Sequence, residues 1–171
     1  MTTVTRDREG KRLIVERDVR GSAPLVWACW TEAARLRQWW GPHGWRTDVL
    51  ELDLRIGGRW RYRLSPDREH DLLEEHWGTA TYEIIDAPTL LRFLDASSSP
   101  DGSVTAGSEM PTNVRITPSS PGRTVVTITI GFRTLDDLEQ AEAQGMVEGF
   151  TDTLERLHHY TAATPQQGST P

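Results

Sequence analysis

The chain has a single cysteine, Cys29, among its 171 residues. One cysteine cannot form an internal disulfide, and it excludes zinc sites built from several thiolates. Although 36% of the residues are hydrophobic, no stretch approaches the roughly 18 consecutive apolar residues of a membrane-spanning helix. We therefore expect a protein without a membrane span that occupies a reducing compartment.

The N-terminal stretch MTTVTRDREGKR lacks the apolar segment of a secretory signal, and it is more acidic than a typical transit peptide. The expected location is therefore the cytoplasm.

Positive charge is also scarce. The net charge is −6, the isoelectric point is near 5.4, and Lys11 is the only lysine beside scattered arginines. Nucleic-acid-binding proteins usually concentrate basic residues in one patch. A nucleic-acid partner is accordingly excluded.

Familiar catalytic signatures are missing as well. The chain has no Gly-x-Ser-x-Gly elbow and no phosphate-binding glycine loop, and none of its five histidines forms an i, i+4 pair. We predict no catalytic residue, no metal site and no cofactor.

The pattern that is present is mostly alternation of apolar and polar residues, which is typical of strands with one buried face. Leu13, Val15, Arg17 and Val19 share one such face, and a hairpin turning at Gly57-Gly58 is predicted to bury Leu50, Leu52 and Leu54. About seven largely antiparallel strands follow, near residues 13–19, 50–54, 60–64, 78–84, 91–93, 114–116 and 126–132.

Helical spacing occurs in three places. Ser22 and Thr31 are predicted to cap two short helices, and a third helix is predicted from about Leu135 to Thr161. Its inward stripe includes Met146, Phe150, Leu154 and Leu157, and its outward stripe includes Asp152, Glu155, Arg156 and His159.

The segment QWWGPHGWR, from Gln38 to Arg46, combines three tryptophans with two glycines and a proline. Gly and Pro permit and stiffen a sharp turn, while each indole buries a large area. We interpret it as a corner anchored by tryptophans, with Trp40 or Trp45 either packed in the core or lining a cavity rim.

Five blocks, in this order, resemble the activator of heat-shock-protein ATPase homologue family of the START-like/SRPBCC superfamily: Ala23–Trp27, Trp30-Thr31, Gln38–Pro42, Asp53–Trp60 and Gly145–Leu157. The resemblance implies an α+β helix-grip fold. A curved antiparallel sheet of about seven strands would wrap around a long C-terminal helix, with two short helices after the first strand. We predict one START-like domain over residues 11–162, with flexible tails over 1–10 and 163–171.

That fold also implies an apolar cavity between the sheet and the C-terminal helix. The predicted function is binding of an apolar or aromatic small molecule by a monomer or homodimer. The ligand-binding residues are predicted to be Arg17, Trp40, Trp60, Tyr62, His76, Tyr82, Phe93, Met146, Phe150 and Leu154.

Two other functions stay open. One is a cyclase-like or hydrolase-like enzyme that uses His76, Tyr62 or Arg17 as polar groups in the same cavity, and the other is a chaperone-assisting interaction protein. Arg17 itself has three possible environments: an ion pair with an internal carboxylate, a contact with an anionic ligand, or exposure at a strand edge. His76 is either a hydrogen-bonded structural histidine or an inward polar tip.

Overall fold

The computed structural model describes residues 1–67 and 75–165. No helix within these two ranges is long and apolar enough to cross a membrane. The elements in chain order are β1 Thr2–Asp7, β2 Arg12–Arg20, α1 Ala23–Thr31, α2 Ala33–Trp39, β3 Trp45–Leu52, β4 Arg59–Pro66, β5 His76–Asp86, β6 Leu90–Ser97, β7 Met110–Ser120, β8 Arg123–Gly131, α3 Leu135–Ala143 and α4 Met146–Ala163.

The strands form one curved, fully antiparallel sheet in the order β1-β2-β8-β7-β6-β5-β4-β3. Helix α4 lies against the sheet, and its Leu154 and Leu157 are completely buried. The predicted α+β helix-grip fold is therefore confirmed. The inward faces predicted for β2 and β8 are also correct at Leu13, Val15 and Ile128.

The sheet has one strand more than predicted, because β1 occupies the segment expected to be a flexible N-terminal tail. Val4 lies opposite Val15 of β2 and packs against the core. The Thr-Val-Thr run suits an extended edge strand, and its pairing satisfies backbone groups of β2 that would otherwise face solvent. The polar composition of this segment gave no indication of its pairing with β2.

The strand β3 also differs from its predicted pattern. Its register shifts between Val49 and Glu51. Before this bulge Thr47 and Val49 face the core, so Leu50 points outward and is 48% exposed; after it Leu52 packs against the core as predicted, while Leu54, beyond the end of β3, is 37% exposed. A bulge moves every later side chain to the other face of a strand. The predicted hairpin remains, closed by Gly57 at φ 80° and by Gly58, whose backbone bonds to Arg55 and Tyr82.

Helix α1 begins as predicted, with Ser22 accepting a hydrogen bond from the backbone N–H of Leu25. Thr31 does not cap α2, because its hydroxyl donates to the carbonyl of Trp27 within α1. The predicted long helix is divided at Gly145, whose φ of 89° ends α3 before α4 begins. Residues 166–171 of the predicted C-terminal tail lie outside the described residues.

Two tryptophans of the α2–β3 corner, Trp39 and Trp40, pack with Trp30 of α1. The rings of Trp30, Trp39 and Trp40 meet edge to face, with centroids 4.7 to 5.7 Å apart. The indole N–H of Trp39 donates to the carbonyl of Cys29 at 3.0 Å. Cys29 is fully buried, and this burial raises the pKa of its thiol to about 12.

The corner is held from α4 by Arg156, which was predicted to face solvent. Its guanidinium donates to the carbonyls of Gln38, Trp40, Gly41, Pro42 and Trp45 at 2.9 to 3.3 Å. Its pKa is lowered by burial, although Asp67 and Asp152 act in the opposite direction. Arg156 therefore fixes the corner to α4.

We expect Arg156→Met to lower the free energy of unfolding by about 2–3 kcal/mol, because it strands acceptors that now bond to a charged donor. Urea denaturation measures the change. Arg156→Lys is the matched control, since it keeps the charge and should recover part of the loss. A Met variant as stable as the wild type would contradict the role of Arg156 as a clamp.

Candidate functional site

A pocket with a volume of about 310 Å³ opens between α4 and the sheet, beside the corner held by Arg156. Its walls come from the corner after α2, from β4 to β7, and from the junction of α3 with α4. The lining residues are Trp40, Gly41, Pro42, Tyr62, Leu64, His76, Asp95, Met110, Ala141, Gln144, Gly145, Met146, Gly149, Phe150 and Thr153.

The polar centre of the pocket is a pair formed by Tyr62 and Asp95. The Tyr62 hydroxyl donates to the Asp95 carboxylate, with distances of 3.1 Å to Oδ1 and 3.3 Å to Oδ2. Tyr62 belongs to β4 and Asp95 to β6, so the tyrosine side chain reaches across β5.

Gly78 of β5 makes this crossing possible. It lies directly opposite Tyr62 in the β4–β5 ladder, and a Cβ at this position would lie 2.2 Å from Cζ of Tyr62. Glycine inside a strand often marks such a close approach. Any other residue at position 78 would push the phenol away from Asp95.

The surroundings of the pair shift its proton affinity. Burial raises the pKa of Asp95 to about 7, although hydrogen bonds from Tyr62 and from the backbone of Ala96 act to lower it. Burial, the Asp95 charge and the hydrogen bond to that carboxylate also raise the pKa of Tyr62 well above its usual value. The pocket thus contains a carboxyl group that changes charge near neutral pH.

The family model of the Activator of Hsp90 ATPase homolog 1-like protein matches residues 20–162. The chain belongs to this family. A search of curated proteins found no match.

Solved structures share the fold of this family member at low identity. A crystal structure of a protein from Mycobacterium smegmatis has a TM-score of 0.85 and 22% identity, and covers 97% of this chain and 100% of that chain. A solution structure of a protein from Arthrobacter aurescens has a TM-score of 0.85 and 21% identity, and covers 98% of this chain and 95% of that chain. The AHSA1-like protein from Aeromonas hydrophila has a TM-score of 0.63 and 22% identity, and covers 88% of this chain and 92% of that chain.

Half of the predicted site residues line the pocket of this family member. These are Trp40, Tyr62, His76, Met146 and Phe150. His76 is exposed, and its ring centroid lies 5.3 Å from that of Trp45.

Four further predicted residues lie in the packed core and do not line the pocket: Trp60, Tyr82, Phe93 and Leu154, each at most 1% exposed. The rings of Trp60 and Phe93 are 5.9 Å apart, and those of Tyr82 and Phe93 are 6.3 Å apart. Side chains therefore fill the space where the alternation pattern predicts the centre of a cavity.

Arg17 lies apart from the pocket, between the β1–β2 edge of the sheet and α4. It is half-buried, its Nη1 donates to the Thr2 hydroxyl at 2.9 Å, and its buried Nε has no hydrogen-bond partner within the described ranges. No carboxylate of residues 1–67 or 75–165 forms a salt bridge with it. Of the three environments considered for Arg17, the internal ion pair is thus not seen among these residues, and a hydroxyl is the partner.

Several pocket residues were not predicted, above all Asp95. The sequence did contain a signal, because extending the alternation of Leu91 and Phe93 by two residues places Asp95 on the same inward face. Gly78 within a strand was a second signal, since it indicates a close contact.

One group among the described residues has the composition of a metal site. Ligand atoms of His43, Asp152 and Glu155 lie within 4.8 Å of one another. His43 is 52% exposed, and its Nε2 lies 3.5 Å from a carboxylate oxygen of Glu155. The predicted absence of a metal site stays a prediction. Of the five histidines, His70 lies outside the described residues.

We expect Asp95→Asn to stabilise the protein at pH 7.5 more than at pH 4.5. The pKa of Asp95 is about 7 in the folded chain and near 4 in the unfolded chain. Between these two pH values the folded chain therefore keeps a proton on Asp95 that the unfolded chain has lost. Wild-type stability therefore falls as pH rises through this window. The full pKa shift corresponds to a free energy of about 4 kcal/mol. Because Asp95 is partly exposed, we expect the free energy of unfolding to change by roughly 1–2 kcal/mol.

Urea denaturation of both proteins at the two pH values measures this difference. Exposed Glu9 provides the control Glu9→Gln, which should show no such gain. An Asp95→Asn protein whose stability relative to the wild type does not change with pH would contradict the assigned environment of Asp95.

We expect Arg17→Met to change the free energy of unfolding by less than about 1 kcal/mol, because the lost hydrogen bond is offset by removal of a buried donor without a partner. The pKa of His158, lowered first by burial and then by the Arg17 charge, should rise. NMR titration of His158 measures this shift. Arg20→Met is the control and should produce a smaller rise, since Arg20 contributes less. Loss of several kcal/mol would instead indicate an internal ion pair.

Proposed function

We propose that this family member binds a small, mostly apolar molecule in the pocket beside Tyr62 and Asp95. The observation that carries the proposal is the composition of the walls: Trp40, Leu64, Met110 and Phe150 surround few polar groups. Small-molecule sites typically combine an apolar lining with a few polar groups that fix orientation. The Tyr62–Asp95 pair supplies such groups.

The size of the pocket supports a compact ligand. A volume of about 310 Å³ lies at the lower end of the roughly 300–1,000 Å³ seen for ligand pockets. A single aromatic ring with a short substituent fits this range. The two methionines, Met110 and Met146, add adaptable walls.

An enzymatic role is the second candidate, and one observation favours it. A carboxyl group with a pKa of about 7 is suited to accept and donate protons at neutral pH. In a cyclase-like or hydrolase-like reaction, Asp95 would serve as the acid or base, and Tyr62 and His76 would be further polar groups in the same pocket. Asp95→Asn would then lose turnover, which mass spectrometry of the incubated ligand would detect.

A chaperone-assisting role, as the family name suggests, has no comparable observation in its favour. Location in the cytoplasm and a monomeric or dimeric state also stay predictions.

Gly149 allows a direct test of the binding proposal. It lines the pocket from within α4, and a Cβ at this position would meet no atom within 4 Å. We expect Gly149→Leu to fill the space and weaken binding at least tenfold. Gly149→Ala should keep binding and raise the free energy of unfolding by about 0.5–1 kcal/mol, because alanine is the better helix former.

Binding is measured by NMR titration with indole and with 2-phenylethanol, and by native mass spectrometry of freshly purified protein for a co-purified molecule. Thermal unfolding of both variants checks that each is folded. Equal binding by the Leu and Ala variants, or no binding by the wild type, would overturn the proposal.

A further inference from the structure

Asp95 has no cationic partner inside the pocket. Its only side-chain hydrogen bond within residues 1–67 and 75–165 comes from Tyr62, and no arginine or lysine of those residues lines the pocket. The neighbouring guanidiniums are engaged elsewhere. Arg63 pairs with Asp48, Arg61 donates to the carbonyl of Pro100, and Arg156 donates to backbone carbonyls of the corner that includes Trp40. An ionised Asp95 therefore lacks a compensating positive charge from these residues.

Three aromatic side chains surround the same space. The ring centroid of Trp40 is 5.9 Å from that of Tyr62 and 6.2 Å from that of Phe150, with interplanar angles of 79° and 76°. All three rings line the pocket. Aromatic rings attract organic cations through their quadrupoles, and desolvation strengthens this attraction.

Apart from His76, the remaining lining side chains carry no charge. From the helices and β7 come Gln144, Thr153 and Met110, which carry no charge, and His76 on β5 is the other titratable side chain besides Tyr62 and Asp95. A carboxylate beside aromatic rings, with no cation of its own, matches the chemistry of an amine-binding site.

We propose that the pocket is selective for a small organic cation, whose ammonium group pairs with the Asp95 carboxylate while its apolar body lies against Trp40, Tyr62 and Phe150. This inference rests on the proposed function, which requires only an apolar ligand. It names the charge of that ligand and the group that selects it.

Three probes of similar shape separate charge from apolar contact: 2-phenylethylamine, 2-phenylethanol and phenylacetate. They carry a positive charge, no charge and a negative charge at pH 7.5. NMR titration of the wild type should show the amine binding at least tenfold more tightly than the alcohol, with phenylacetate weakest.

Asp95→Asn keeps the size of the side chain and an acceptor for Tyr62. We expect it to weaken amine binding about tenfold and to leave alcohol binding within twofold of the wild type. Glu9→Gln removes one negative charge outside the pocket and should change neither affinity.

The outcomes distinguish the two proposals. Equal affinity for amine and alcohol in the wild type, or an amine affinity unchanged in Asp95→Asn, would overturn the cation inference and leave the proposed function standing. Binding of none of the three probes would overturn both. Calorimetry in phosphate and in HEPES gives an independent readout, because an amine that ionises Asp95 must release a proton near pH 7.

Discussion

The hydrogen bonds from Arg156 to the backbone of the α2–β3 corner are the constraint on which the pocket depends. A chain that turns within Gly41–Gly44 leaves several carbonyls outside regular structure. Five carbonyls between Gln38 and Trp45 lie within hydrogen-bond distance of one guanidinium from α4, and four of them share the two hydrogens of its Nη1. The turn and the helix are thereby joined at one fixed distance. Trp40, Gly41 and Pro42 become a wall of the pocket because Arg156 holds them there.

A second constraint acts from the opposite side. Tyr62 reaches Asp95 across β5 because position 78 has no Cβ. A glycine in β5 thus allows a side chain of β4 to contact a side chain of β6. The two constraints have different origins. The corner is held by a charged donor acting on backbone oxygens, whereas the polar pair depends on steric space.

The fold was largely predictable from the sequence, because alternation in β2 and β8 and the cap at Ser22 are local signals. The split of the last helix at Gly145 was missed, since an apolar stripe continues on both sides of the break. The role of Arg156 was not predictable by pattern. Its partners are backbone carbonyls, which every residue has, so the residue types do not reveal them.

The candidate site was only partly predictable, for a related reason. Alternation tells which side chains face inward, and this correctly placed Tyr62 and Phe150 toward the interior. It does not tell where the interior is filled and where space remains. Trp60, Tyr82 and Phe93 face inward but pack against one another, and the open volume lies at one end, beside Asp95.

Burial of Cys29 has a practical consequence. A thiol with no exposed surface and a pKa of about 12 forms almost no thiolate at neutral pH, so it reacts slowly with maleimides, iodoacetamide and oxidants. The native chain therefore behaves toward labelling reagents as though it had no cysteine. A single cysteine introduced on exposed surface near the pocket, such as at Glu148, would carry a fluorophore or spin label without any change to the core.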